Sequence, residues 1–334
     1  MLARRCERFS LSCIRLRRAR RTPGPIAIVA VAVAIVAVVA ATVAGCGADG
    51  EDSTAEVTAV ATTTQVADLV RNVGGERVAV AQLLEPGSDP HEYEPRPSDA
   101  SAVADAPVVF RSGGGLDDWL DGVIENAGGD ADVVTLIDSA TAVREDDPHW
   151  WQDPRNAVAA VETIAGALAE ADPTGVDAYR RNARAYASMI ERVDHAIASC
   201  MKRVPAAQRK LVTTHDSYGY FADRYGVEIL GALIPSASTE AQPSAGETAA
   251  LVERIEAEGV RAIFPESPLD PDLEQVVADE AGAVVGDPLW ADSLGPEGSG
   301  GATYLEALVS DAEAMVAGFT GGERSCRPEA RAER

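Results

Sequence analysis

Short apolar runs rich in β-branched residues alternate along this chain with longer stretches whose apolar positions recur every three or four residues. Val57 to Ala61, Arg77 to Leu84, Pro107 to Phe110 and Asp132 to Ile137 read as strands. Gln65 to Val73, Asp99 to Asp105, Leu116 to Asn126 and Arg155 to Ala171 read as helices, the first stopped by Gly74-Gly75 and the third by Gly128-Gly129. Past Pro205 the rhythm resumes, with strands at Leu211 to Thr214, Val227 to Leu233, Val260 to Phe264 and Ala283 to Val285. Helices are expected over Tyr218 to Tyr225, from a Pro243-Ser244 start to Glu258, and over Pro271 to Ala281 and Tyr304 to Phe319. Such βα repetition builds parallel sheets with helices on both faces, so the fold class is α/β.

The rhythm breaks once. Between Gly175 and Val204 there is neither glycine nor proline, and apolar residues recur at helical spacing through Tyr179, Ala183, Tyr186, Ile190, Val193, Ile197 and Met201. A helix of about 28 residues would be about 42 Å long, more than one small domain requires. It reads as a rigid connector. The organisation expected is an N-terminal lobe over 56–172, the connecting helix over 173–204, a C-terminal lobe over 205–322 and a polar tail over 323–334.

The first 45 residues follow a different pattern. Arginines dominate Met1 to Arg21, an apolar run extends from Ile26 to Ala44, and Val43-Ala44-Gly45-Cys46 closes it. Basic region, apolar region and small residues in that order form an export signal, and the closing residues resemble the lipobox of bacterial lipoproteins, in which the cysteine is lipidated. The alternative is an uncleaved anchor, because an apolar run of this length just spans a bilayer. Either way the rest is expected on the extracytoplasmic face of the membrane, anchored through Cys46, with 46–55 as a flexible tether.

Composition sharpens this picture. The chain has 53 acidic and 29 basic side chains, a net charge of −24, and eight of its arginines lie in the export signal, so the remainder is more acidic still. Such a surface repels nucleic acid and attracts cations. Of the five cysteines, Cys6 and Cys13 leave with the signal and Cys46 is assigned to lipid. Cys200 and Cys326 remain, a disulfide pair in an oxidising compartment.

Only four histidines are present, and three occupy constrained settings. His149 lies in Asp147-Pro148-His149-Trp150-Trp151-Gln152-Asp153-Pro154 and His91 in Asp89-Pro90-His91-Glu92-Tyr93-Glu94-Pro95, both bounded by prolines that fix the backbone. His215 ends the strand in Leu211-Val212-Thr213-Thr214-His215-Asp216. Strand ends and the loops beyond them are where α/β folds place ligands, so these residues read as a metal site assembled from distant parts of the chain. His195 lies mid-helix and reads as an ordinary surface or packing residue. Trp150 and Trp151 read as packing around the site, and Glu266 as support from outside rather than a ligand.

Together with Pro86-Gly87-Ser88, Thr214-His215-Asp216-Ser217-Tyr218, Pro243-Ser244, Ile263-Phe264-Pro265-Glu266, Asp292-Ser293-Leu294-Gly295 and Thr303-Tyr304-Leu305, these motifs make the chain similar to one family. It resembles the metal-binding solute-binding lipoproteins of bacterial ABC importers for zinc and manganese, family nine of the bacterial solute-binding proteins. The resemblance implies two lobes joined by one long helix, with a single metal in the cleft. His91 and His149 would be ligands from the first lobe, and His215 and Asp292 from the second. It also implies a membrane permease as partner, a monomeric carrier and no enzymatic activity.

Three imidazoles and one carboxylate suit tetrahedral Zn²⁺, whereas a Mn²⁺ site would use more oxygen. The family's manganese members usually place glutamate at the third position, where this chain has His215. Zinc is therefore the expected cargo, with manganese as the alternative. Many zinc members also carry a long His-rich loop before the second ligand; Asp138 to Asp147 contains no histidine. A zinc hydrolase is the rival of another class, but there is no His-Glu-x-x-His, and four protein ligands leave no position for the attacking water. The single connecting helix argues against a wide hinge, so closure is expected to be modest, with local ordering of the 286–301 loop.

Overall fold

A computed structural model describes residues 55–267, 269 and 271–327. The residues expected to form the export signal, Cys46 and the rest of the expected tether up to 54, and the end of the tail, 328–334, lie outside the described residues.

The first lobe is built on four parallel strands, β1 (Val57–Ala61), β2 (Val78–Gln82), β3 (Val108–Arg111) and β4 (Asp132–Thr135), in the order β2-β1-β3-β4. Its helices are α1 (Thr64–Gly74), α2 (Pro97–Asp105), α3 (Trp119–Ala127) and α4 (Pro154–Ala171). Thr63 caps α1 by accepting the Val66 N–H, and Asp153 caps α4 by accepting that of Arg155 ahead of an N1 proline. α3 begins three residues later than its apolar pattern suggests. Asp117 is buried and accepts from the Thr62 hydroxyl and the N–H groups of Ser112 and Gly113, which folds the 112–118 segment into turns instead of a helical start.

The long connector is α5 (Val176–Arg203), 28 residues without a break. Its buried face carries Tyr179, Ala183, Tyr186, Ile190, Val193, Ile197 and Met201, the residues whose spacing defined it. His195 is exposed on the opposite side.

The second lobe repeats the plan. β5 (Lys210–His215) pairs in parallel with β6 (Glu228–Ile234), β7 (Ala262–Ile263) pairs in parallel with β8 (Val284–Val285), and a parallel bridge between Thr213 and Phe264 joins the two pairs. The resulting order, β6-β5-β7-β8, matches that of the first lobe. Strands β7 and β8 are shorter than expected, and beyond β7 the pairing reduces to the isolated bridges Thr213–Phe264 and Glu266–Leu289. The helices are α6 (Gly219–Tyr225), α7 (Ala245–Glu258), α8 (Asp272–Ala281) and α9 (Tyr304–Thr320). Ser244 and Glu247 form a reciprocal capping box at the start of α7.

One apolar core runs through both lobes. Ala59 and Phe110 from the first sheet, Ile164 of α4, Ile190 of α5, Leu211 and Phe264 from the second sheet and Met315 of α9 belong to the same buried cluster. Asp194 fastens α5 to α6, accepting from Arg224 Nε at 2.8 Å and the Tyr225 hydroxyl at 2.9 Å. Cys200 at the end of α5 is bonded to Cys326, with Cα atoms 5.7 Å apart, within the ordinary disulfide range.

Candidate metal centre

The two Asp-Pro-His segments form the same turn. Asp89 Oδ1 accepts the His91 N–H at 2.8 Å, and Asp147 Oδ1 accepts the His149 N–H at 3.1 Å. The intervening proline has no N–H to compete for the carboxylate, so the turn fixes the histidine backbone locally. These loops follow β2 and β4. His215 is the last residue of β5, and Asp292 follows β8, so all four side chains gather at the carboxyl ends of parallel strands.

His91, His149, His215 and Asp292 come together with one ligand atom of each within 4.8 Å of the others. The Nε2 atoms of His149 and His215 are 3.3 Å apart. Asp292 Oδ1 lies 3.2 Å from His149 Nε2, and Asp292 Oδ2 lies 3.2 Å from both His91 Nε2 and His215 Nε2. A regular tetrahedron with metal–ligand distances of roughly 2.0–2.1 Å has edges of about 3.3–3.4 Å, so the nearest pairs sit at ligand spacing. His149 and His215 are fully buried. Among the described residues, neither oxygen of Asp292 accepts a hydrogen bond, and the His91 Nε2 has no hydrogen-bond partner either. A divalent cation would satisfy all three atoms at once, offsetting the cost of burying them unpaired.

The field at this point is negative. Burial opposes the charged form of the His149 imidazole, yet the Asp292 charge and the Asp147 hydrogen bond outweigh it and hold its pKa above the ordinary value. His215, against Asp292 and Glu266, is raised well above it despite burial. Asp292 stays well below the usual carboxylate range, because the charges of His215 and His149 overcome its burial. An environment that draws protons onto buried imidazoles is one that stabilises a cation.

The structure brings the four side chains His91, His149, His215 and Asp292 together. Trp150 and Trp151 pack beside them: the Trp150 indole donates to Ser112 Oγ at 3.0 Å, and the Trp151 ring lies 5.5 Å from that of His149. Glu266 touches His215 rather than the cluster, at 2.7 Å from Nδ1. The contribution of Asp147 to the ring of His149 was not apparent from the sequence, although its place two residues ahead of the histidine was the available signal.

A family model described as ZnuA, zinc-uptake complex component A, periplasmic, matches residues 59–318. The manganese-binding lipoprotein MntA of Halalkalibacterium halodurans is 32% identical over 284 residues, covering 83% of this chain and 94% of the relative. The iron-binding protein YfeA of Yersinia pestis is 29% identical, covering 80% of this chain and 88% of the relative. Among solved structures, the periplasmic zinc-binding protein TroA of Treponema pallidum superposes with a TM-score of 0.74 at 25% identity, covering 79% of this chain and 99% of that one.

Proposed function

Since the chain belongs to the family of periplasmic zinc-uptake component A proteins, the metal-capturing components of ABC importers, we propose that its cargo is Zn²⁺, held by His91, His149, His215 and Asp292. The observation that carries this reading is the donor set: three imidazole nitrogens and one carboxylate at ligand spacing. Nitrogen-rich, four-donor sites suit zinc, and a site complete in protein donors binds and releases metal rather than activating water. The protein then passes its cargo to a membrane permease while tethered through a lipidated Cys46, acting as a monomer. The names of relatives as lipoproteins support the anchor.

Manganese is the second reading. Both oxygens of Asp292 face the cluster, which admits a coordination number above four and harder character, and four relatives are named for manganese, two of them as manganese-binding lipoproteins. Metal analysis of the protein lacking the first 45 residues, purified without added metal, decides between them. One equivalent of zinc, retained in competition with manganese, is expected. Preferential manganese loading would overturn the zinc assignment, and no bound metal in either form would overturn the site.

A further inference from the structure

His149 and His215 each turn one ring nitrogen toward Asp292 and the other onto a carboxylate. Asp147 Oδ1 lies 2.8 Å from the Nδ1 of His149, and Glu266 Oε2 lies 2.7 Å from the Nδ1 of His215. An ionised carboxylate only accepts hydrogen bonds, so in the neutral rings Nδ1 carries the proton and Nε2 keeps its lone pair. The two Nε2 atoms are the ones that converge, 3.3 Å apart. Each carboxylate also accepts the backbone N–H of the same histidine, at 3.1 Å for Asp147 and 3.0 Å for Glu266, so ring and backbone are fixed against one side chain. Among the described residues, the ion pairs of the His91 ring include no carboxylate besides Asp292.

Asp147 is held from its far side by the second lobe. Its Oδ2 accepts from Arg144 Nε at 3.1 Å, and Arg144 Nη1 donates to Asp223 on α6 at 2.6 Å. The Tyr220 hydroxyl, also on α6, donates to the Asp147 carbonyl at 3.1 Å. At the head of α6, a Cβ on Gly219 would stand 2.5 Å from both Arg144 Nε and Asp147 Oδ2. Only the absence of a side chain lets α6 close on the pair.

We propose that Asp147 and Glu266 are positioning residues of the metal site, each locking one imidazole with Nε2 toward the cargo, and that Gly219 and Arg144 make the first lock depend on the seating of α6. This rests on the reading of His149 and His215 as metal ligands. Carboxylate partners of this kind fix the tautomer and raise ligand basicity, and their loss costs about 10–100-fold in metal affinity.

The test is zinc affinity by chelator competition, together with ¹⁵N–¹H spectroscopy of the ring nitrogens in the zinc-bound protein. Asp147→Ala and Glu266→Ala are expected to bind about 10–100-fold more weakly, and each loses the protected Nδ1 proton of its own histidine while the other signal stays. Asp147→Asn and Glu266→Gln, which keep the size and one acceptor, are expected to show smaller losses and supply the reading where an alanine variant does not fold. Gly219→Ala, which would press on Asp147 and Arg144, is expected to disturb the His149 signal alone. Wild-type affinity in Asp147→Ala or Asp147→Asn, with the wild-type protein binding zinc, would overturn the inference and leave the metal site standing. A wild-type protein that binds no zinc would instead remove the reading on which it rests.

Discussion

The indole of Trp151 donates to the carbonyl of Ala291 at 3.0 Å, which ties the residue before Asp292 to the residue two beyond His149. The same carbonyl accepts from the side-chain amides of Gln65 and Gln152, each at 3.4 Å. The Leu294 N–H donates to Thr64 Oγ1 at 2.8 Å, and the Gly87 N–H reaches Ser293 Oγ at 2.8 Å and the Leu294 carbonyl at 3.1 Å. By chain position Asp292 belongs to the second lobe, but its segment is held by donors and acceptors of the first. This tethering favours a static Asp292 segment over one that orders on binding. The amides of Gly87 and Leu294 are therefore expected to show similar hydrogen exchange with and without zinc. Strong protection of the 286–301 loop only in the zinc-bound state would contradict this.

Replacing His215 by glutamate trades a borderline nitrogen for a hard oxygen and is expected to move selectivity toward manganese. Glu266 complicates the change. It lies 2.7 Å from the ring it would lose, so His215→Glu alone sets two carboxylates together and raises the pKa of one. The double variant His215→Glu/Glu266→Gln is expected to show the larger shift in the manganese-to-zinc ratio. An unchanged ratio in both would remove His215 from the ligand set.

Acid is expected to release the metal. With no cation bound, His149 and His215 have pKa values above their ordinary value, so their protonated forms stabilise the metal-free fold fully below an unfolded pKa of ~6.5. That contribution is lost as the pH rises through the raised folded values. Zinc works in the opposite direction because it binds only neutral imidazole. The rise in Tm caused by a fixed excess of zinc should therefore be small at pH 5 and grow toward pH 8. Calorimetry showing the same rise at both would be incompatible with imidazole ligation.

Asp311 on α9 supplies a separate pH dependence. Burial pushes its carboxyl up to about 7, against the hydrogen bonds from the Trp290 N–H and the Tyr218 hydroxyl. Between the ordinary carboxylate pKa of ~3.9 and that value, the folded chain holds a proton that the unfolded chain has released. The contribution of this group to stability thus falls as pH rises through the window. Asp311→Asn keeps an acceptor for Trp290 and removes the titration. Denaturation curves should place the variant better relative to wild type at pH 8 than at pH 5, and an equal difference at both would reject the assignment.

The bond between Cys200 and Cys326 closes a loop with a sequence separation of 126, and a loop of that size is associated with stabilisation of about 4–5 kcal/mol on the chain-entropy model. Thiol titration of the unfolded, unreduced chain lacking Cys6, Cys13 and Cys46 should find no free thiol, and the double Cys→Ala variant should show a lower Tm. Two titratable thiols would rule the bond out in solution.

The histidines were legible because each sits in a setting that restricts it locally: a proline on one side of His91 and His149, the end of an apolar strand for His215. The 28 residues of α5 were legible for the same reason, since helical spacing without glycine or proline leaves little choice. The late start of α3 was not, because it depends on Asp117 meeting Thr62, 55 residues away in sequence. Arg144 and Gly219 escaped notice on similar grounds. Nothing in their own neighbourhoods marks them, and their roles arise only when α6 packs beside Asp147. Local rules find the candidate ligands, whereas the groups that hold those side chains are chosen by tertiary approach.

The shared strand order of the two lobes gives the centre a hidden correspondence. The loop after the fourth strand supplies His149 in the first lobe and Asp292 in the second, so these residues are positional counterparts on duplicated scaffolds. The first strand of each half shows the same correspondence with unequal use: β5 ends on His215, and β1 runs into Thr62, Thr63 and Thr64, whose hydroxyls brace Asp117, cap α1 and hold Leu294. In the proposed site the first-strand pair divides its work between His215 and the bracing threonines, whereas both members of the fourth-strand pair face the cluster. On the proposed ligation, the donor at the end of β5 can change while the threonines after β1 keep the frame, which would give a single architecture room to serve cations of different hardness.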